Sequence, residues 1–350
     1  MNHASLPKSG ILALLLVITT VISWELYVRH HDYDTSFDDN PALWAHTRDQ
    51  VYEPAGQSTV FIGSSRIKFD LDTKTWTELT GDHAVQLACV GSSPALILDN
   101  LAADEKFKGK LVIDVTEILF FSDAPFGMET PSKNLKYYKD RTPAQRVSFI
   151  LNKPLESCLV FLDKDRLSLN AMLDLLLIPN RPAVYQFPLF PPGFGRVQFD
   201  RQEYMTDKCL HDTNQINQVR GVWALLGKMG AKTPPASGAK LDSMMNAYKL
   251  AVDKIRHRGG KVIFVRTPSS GPFLMGETMG YPREKYWNKL LEVTKCEGIH
   301  FTDYPAIAHF ECPEFSHLSR EQAVVFTKEF VRILEDEKGW TFPKHPSKTH

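Results

Sequence analysis

Cysteine is scarce in this chain of 350 residues, and its five copies (Cys89, Cys158, Cys209, Cys296 and Cys312) form no CxxC pair. That spacing excludes a zinc knuckle. The odd count leaves at least one thiol without an intramolecular partner, and whether the other four pair stays open. Cys89 and Cys312 read as small buried hydrophobes rather than reactive thiols. Net charge is also missing: 41 Lys and Arg balance 41 Asp and Glu, so no overall field draws in nucleic acid. There is no P-loop, dinucleotide fingerprint, HExxH pair or EF-hand loop, and no cofactor is expected. Low-complexity tracts and solenoid-length repeats are absent too.

Long apolar runs are nearly absent, with one exception. Ile11 to Val28, ILALLLVITTVISWELYV, spans about 27 Å as a helix, marginally enough for a hydrocarbon core. Lys8 precedes it, while Asp32, Asp34, Asp38 and Asp39 dilute Arg29 beyond it. This favours a single-pass anchor with a cytoplasmic amino terminus and a periplasmic or cell-surface body. A cleaved signal peptide is the rival reading, but Trp24, Glu25 and Leu26 offer no small-residue cleavage site. A buried soluble helix fits less well, because the run has no polar face.

What remains reads as an α/β protein. Val60, Phe61 and Ile62 form a buried-strand run that stops at Gly63. Strands are expected at Ala84 to Ala88, Lys110 to Val115, Lys261 to Arg266 and Ile299 to Asp303. Helices are expected at Pro94 to Leu101, Leu241 to Arg256, Arg283 to Lys295 and Ser319 to Glu335, the last capped by Ser319. The opening βαβαβ order argues for a parallel sheet of about five strands. The expected division is an anchor over 1–29, a connector over 30–56 with a short helix near Ala42 to Val51, a domain over 57–336, and a loose tail over 337–350. A largely helical insertion of about 123–237 interrupts the domain. Its apolar part, Val147 to Pro179, and the VYQFPLFPPGFG segment read as core or lid packing in preference to membrane contact.

Two stretches carry chemistry. Ser64 and Ser65 follow the first strand, at the carboxyl ends of the strands where open α/β sheets hold their sites; as ordinary residues they would cap a turn or helix. Glu314 and His317 stand three apart ahead of the last helix, so the carboxylate can orient the ring; the ordinary alternative is a packed or capping histidine. Arg66, Arg266, Ser269 and Arg283 are candidates for holding an anionic or sugar substrate, against the alternative of plain salt bridges. The α/β-hydrolase elbow G-x-S-x-G fails, because Ile67 occupies the last glycine position.

Taken together, Gly63–Ser64–Ser65, Gly91 after the second strand, and Glu314 three residues before His317 resemble the SGNH (GDSL-type) hydrolase superfamily, in its membrane-anchored bacterial esterase and O-acyltransferase branch. The resemblance covers roughly Gln57 to Asp336 apart from the insertion. It implies a flavodoxin-like three-layer αβα sandwich, with Ser65 as nucleophile, His317 as base and Glu314 where the family usually has Asp. It also implies that the N–H groups of Ser65 and Gly91 face the oxyanion. The family's asparagine donor is missing: its position reads DVTEI, where Thr116 offers a hydroxyl. A second GSS, Gly91 to Ser93, is a rival nucleophile, disfavoured by the proline that follows. The implied substrate is an acylated or acceptor carbohydrate or a small ester, with a membrane-bound acyltransferase as a further partner. A non-catalytic glycan-binding or scaffolding protein on the same fold is the competing class.

Overall fold

The computed structural model describes residues 5–31, 35–52, 57–174, 176, 190–191, 193–230 and 234–343. They fall into two compact units, Met1–Asp38 with Thr142–Gln186, and Asp39–Arg141 with Phe187–His350.

The second unit is a mixed α/β body around a five-stranded parallel sheet. Its strands are β1 (Ser58–Ile62), β2 (His83–Gln86), β3 (Lys110–Asp114), β6 (Lys261–Arg266) and β7 (Glu297–His300). Two short strands, β4 (Arg196–Val197) and β5 (Glu203–Tyr204), pair as a separate antiparallel ribbon. The sheet order is β2-β1-β3-β6-β7. After β1 the chain goes to one side for β2, then to the other for β3, so the carboxyl ends of β1 and β3 border a switch point in the topology.

Side chains alternate across the sheet because strand periodicity is two. Val60, Ile62, Leu111, Ile113 and Phe264 enter one core with Leu98, Leu101, Val252 and Ile255, from helices Ala95–Ala103 and Gly238–His257. Phe61, Val112, Ile263 and Val265 enter another with Trp76, Phe326 and Phe330, from helices Thr73–Thr80 and Arg320–Asp336. Ser319 caps the last helix in a capping box with Gln322.

Several boundaries differ from the sequence reading. Strand β7 begins two residues earlier than expected, at Glu297, and Phe301–Asp303 forms a 3-10 turn. Gly298 explains the shift: a Cβ there would meet Trp287 at 2.7 Å and Leu291 at 2.9 Å, so the strand needs its least strand-like residue. The connector also contributes core. Helix Pro41–Asp49, capped by Asn40, buries Leu43, Trp44 and Arg48. The expected loose tail puts Trp340 and Phe342 into the second core, while residues 344–350 lie outside the described residues. The expected insertion is divided: helix Phe126–Asp140 and helix Thr213–Gly230 belong to the body, and Thr142–Gln186 belongs to the other unit.

In that other unit, helix Ser5–His30 contains a stretch, Pro7–His30, long and apolar enough to cross a membrane. Helix Pro143–Cys158 follows in the same unit and has no buried residue, so the expected core or lid packing is not found for it. Residues 177–189, within the apolar and proline-rich segments singled out in the sequence, lie outside the described residues.

Candidate active site

Gly63 lets β1 turn sharply into helix Ser65–Asp70. Its φ is +155°, and a Cβ would sit 2.5 Å from the Asp114 Cβ on β3, so the close approach of two strand ends requires glycine. Ser64 is the N-cap: its Oγ accepts from the Arg66 N–H and donates toward Asp114 Oδ2 at 3.3 Å. Its neighbour is placed differently. From Ser58 to Thr73 every residue is buried except Ser65, which is half-buried and stands at the first helical position. An N–H at that position has no acceptor within the helix.

The turn ahead of the last helix carries the partner. Glu314 Oε1 accepts from the backbone N–H of Ser316 at 3.2 Å and of His317 at 2.6 Å, and from His317 Nδ1 at 2.9 Å. A carboxylate oxygen can only accept, so Nδ1 bears a proton, and in the neutral ring Nε2 keeps its lone pair. Nε2 faces Ser65 Oγ at 2.8 Å. The hydroxyl and the imidazole, 252 residues apart, therefore meet with the carboxylate behind the ring. Phe315, between the two acting residues, holds a left-handed φ of +81°. This conformation costs a bulky residue of order 1–3 kcal/mol, and the hydrogen bonds of the turn hold it. Its carbonyl accepts from Ser270 N–H at 3.0 Å, and Arg220 lies over its ring at 4.4 Å.

Aromatic groups enclose the pair. Phe69, Phe194 and Trp223 lie 4.4, 5.8 and 5.9 Å from the His317 ring. Trp223 Nε1 donates to Glu314 Oε2, so both carboxylate oxygens are engaged although Glu314 is fully buried. These residues escaped sequence reasoning. The only signal was the Phe-rich segment containing Phe194, read as core or lid packing.

Three of the other candidates meet at one carboxylate. Arg66 is buried, bonded to Ser316 Oγ at 3.3 Å and paired with Glu277. Arg266 binds Glu117 at 3.1 Å, Ser269 Oγ at 2.9 Å and Glu277, and Ser269 gives its hydroxyl to Glu277 at 2.7 Å. Burial would raise Glu277, but Arg266 and Arg66 outweigh it and hold the carboxyl down to about 2. Arg66, Arg266 and Ser269 thus meet in one buried ion network around Glu277, in which Arg66 Nη1 has no hydrogen-bond partner among the described residues. Arg283 instead pairs through two 2.6 Å contacts with Asp303.

Thr116 is close, but its hydroxyl is 2.7 Å from Ser64 Oγ and 3.1 Å from Asp114 Oδ2. A hydroxyl has one proton, and both takers are internal, so the expected third oxyanion donor is already used. Gly91, exposed and at φ +62°, follows β2 by a short loop in which Cys89 N–H reaches the Gly63 carbonyl at 3.1 Å. The rival serines fail on exposure: Ser92 and Ser93 are both buried.

All five cysteines are free. Burial pushes the Cys89 and Cys312 thiols up, which keeps them unreactive. Asp70 accepts from Leu318 N–H at 2.9 Å, tying the serine helix to the histidine turn. Burial raises its carboxyl to about 7 against the attraction of His317. Among the described residues, no three His, Cys, Asp or Glu side chains gather to hold a metal ion.

No protein-family model matches the chain, and no curated protein sequence matches it.

Proposed function

We propose that this chain is a membrane-anchored serine esterase or O-acyltransferase of SGNH type, with a flavodoxin-like three-layer body acting outside the cytoplasm. The observation that carries the reading is the continuous path Ser65 Oγ, His317 Nε2, His317 Nδ1, Glu314 Oε1, at 2.8 and 2.9 Å across its two hydrogen bonds. The sheet order and the two cores are consistent with the three-layer body.

Serine is a poor nucleophile at neutral pH until a base takes its proton. In the proposed reaction Ser65 Oγ attacks the ester carbonyl carbon while its proton passes to His317 Nε2. Glu314 stabilises the imidazolium through Nδ1–H. The tetrahedral oxyanion is held by the backbone N–H groups of Ser65 and Gly91. Its collapse expels the alcohol, which takes the Nε2 proton and leaves an acyl-serine. Water then attacks the acyl carbon to give hydrolysis, or a carbohydrate hydroxyl to give transfer, each losing its proton to Nε2, which returns it to Ser65 Oγ as the acyl–serine bond breaks. A membrane-bound acyltransferase would be a natural supplier of acyl groups to such a serine.

The inward-turned Thr116 favours a second reading, a non-catalytic glycan-binding protein, because one side-chain donor to the oxyanion is missing. A fluorophosphonate probe and an activated acetyl ester test the first reading on the full-length protein in detergent. Covalent labelling at Ser65, abolished in Ser65→Ala, is expected. Folded protein that takes no label, with Ser65→Ala leaving glycan binding and envelope ester content unchanged, would establish the second reading.

A further inference from the structure

The unit that holds the amino-terminal helix also carries an exposed apolar surface. Helix Pro143–Cys158 carries Val147, Ile150, Leu151, Pro154 and Leu155 at i, i+3, i+4, i+7 and i+8, which places them on one face. In a globular helix this stripe would face a core. Here Val147, Ile150, Leu151 and Leu155 are 54%, 63%, 64% and 50% exposed, while Phe149, Lys153 and Glu156 on the other side are half-buried. The short helix Leu169–Asp174 repeats the pattern with exposed Leu169, Met172 and Leu173.

A second observation bears on what covers the stripe. Glu25 accepts from the backbone N–H groups of Val160 and Phe161 at 3.0 and 3.1 Å. Arg29 donates to Glu25 at 2.6 Å and to the Cys158 carbonyl at 2.7 Å. The carboxyl end of the striped helix is therefore fastened to the last turns of the apolar amino-terminal helix. Trp24 and Tyr27 stack at that level, residue types that favour a membrane–water boundary. Those bonds also account for an acidic residue inside an apolar helix, since its charge is fully engaged.

We propose that Pro143–Cys158 lies in the membrane–water interface where the amino-terminal helix leaves the bilayer, its stripe in lipid and its polar side away from lipid. The proposal rests on reading Ser5–His30 as membrane-spanning. Within the helix Arg146 and Lys153 stand against Glu156, so apolar burial, rather than attraction to anionic headgroups, drives the contact.

The test uses the full-length protein in phosphatidylcholine vesicles, with and without phosphatidylglycerol. Cys158, the one exposed thiol, is first replaced by serine. Single cysteines at Ile150→Cys, Leu151→Cys and Asn152→Cys then carry an environment-sensitive fluorophore. Expected is several-fold stronger quenching by brominated acyl chains at 150 and 151, with loss of iodide quenching there, and the reverse at 152, in both lipid mixtures. Three positions equally open to iodide overturn the proposal, as does shielding of 150 and 151 from both quenchers, which indicates contact with protein in place of lipid. Alkaline carbonate separates the failures. Protein retained in the vesicles with a flat quenching profile defeats the interfacial helix alone, whereas release of the protein defeats the span and the proposal with it.

Discussion

The same residue types meet opposite fates in the two units. In the body, Val60, Ile62, Leu111 and Ile113 have no solvent exposure, whereas Ile150, Leu151 and Leu169 in the other unit are 63%, 64% and 71% exposed. Composition does not separate them. A parallel strand receives a cover from the helices that its own connections place on the sheet; a helix tied at one end to an apolar helix receives none. An apolar stripe thus defines a face, and topology decides whether protein covers it.

Substitutions in matched pairs sharpen this contrast. Phe61→Ala, which removes a ring packed edge-on to Trp76 at 4.9 Å, should cost about 3–5 kcal/mol. Leu151→Ala should stay within about 0.5 kcal/mol. Urea unfolding of the full-length protein in detergent measures both, and equal costs would break the contrast.

The next effect is one of pH, and it belongs to the body. Asp70 carries more protons folded than unfolded between its ordinary value near 3.8 and about 7, so its contribution makes stability fall as pH rises through that window. Burial shifts Asp114 in the same direction despite Arg66. Glu277 is held low by Arg266 and Arg66 in spite of burial, so its contribution is lost only as pH drops below its ordinary 4.5 toward about 2. Asp70→Asn should flatten the fall by about 1 kcal/mol per pH unit, read from unfolding midpoints at pH 5, 6 and 7. An unchanged slope would mean that Asp70 is not the proton binder.

The smallest effect tests the aromatic enclosure. Trp223→Phe keeps a ring but deletes the donor to Glu314 Oε2, which should cost about 1 kcal/mol of stability. Turnover of an activated ester should drop with KM little changed, because the loosened carboxylate orients His317 less well. A change in KM alone would assign Trp223 to substrate contact.

Legibility followed range along the chain. Val60 to Gly63 announced a strand and a turn through local composition, and Glu314 with His317 announced an oriented ring through spacing alone. Trp223 lies 91 residues from Glu314, and nothing in its helix marks it as that carboxylate's donor. Arg66 looked like a ligand for a substrate because Glu277, which pairs with it, is 211 residues away, whereas Arg266 meets the same carboxylate from 11 residues away. Phe342 looked like tail because its burial depends on Trp76, far away in sequence, and Trp340 packs beside Phe342. Thr116 stands next to Ser64, and the direction of its proton depends on Ser64 and Asp114.

Adjacent serines with identical chemistry have unlike prospects. The hydroxyl of Ser64 is locked among Arg66, Thr116 and Asp114, while that of Ser65 reaches both solvent and an imidazole. An electrophilic reagent arriving from outside therefore discriminates between them by location rather than intrinsic reactivity, and the inner serine becomes a built-in control for any covalent probe aimed at the outer one.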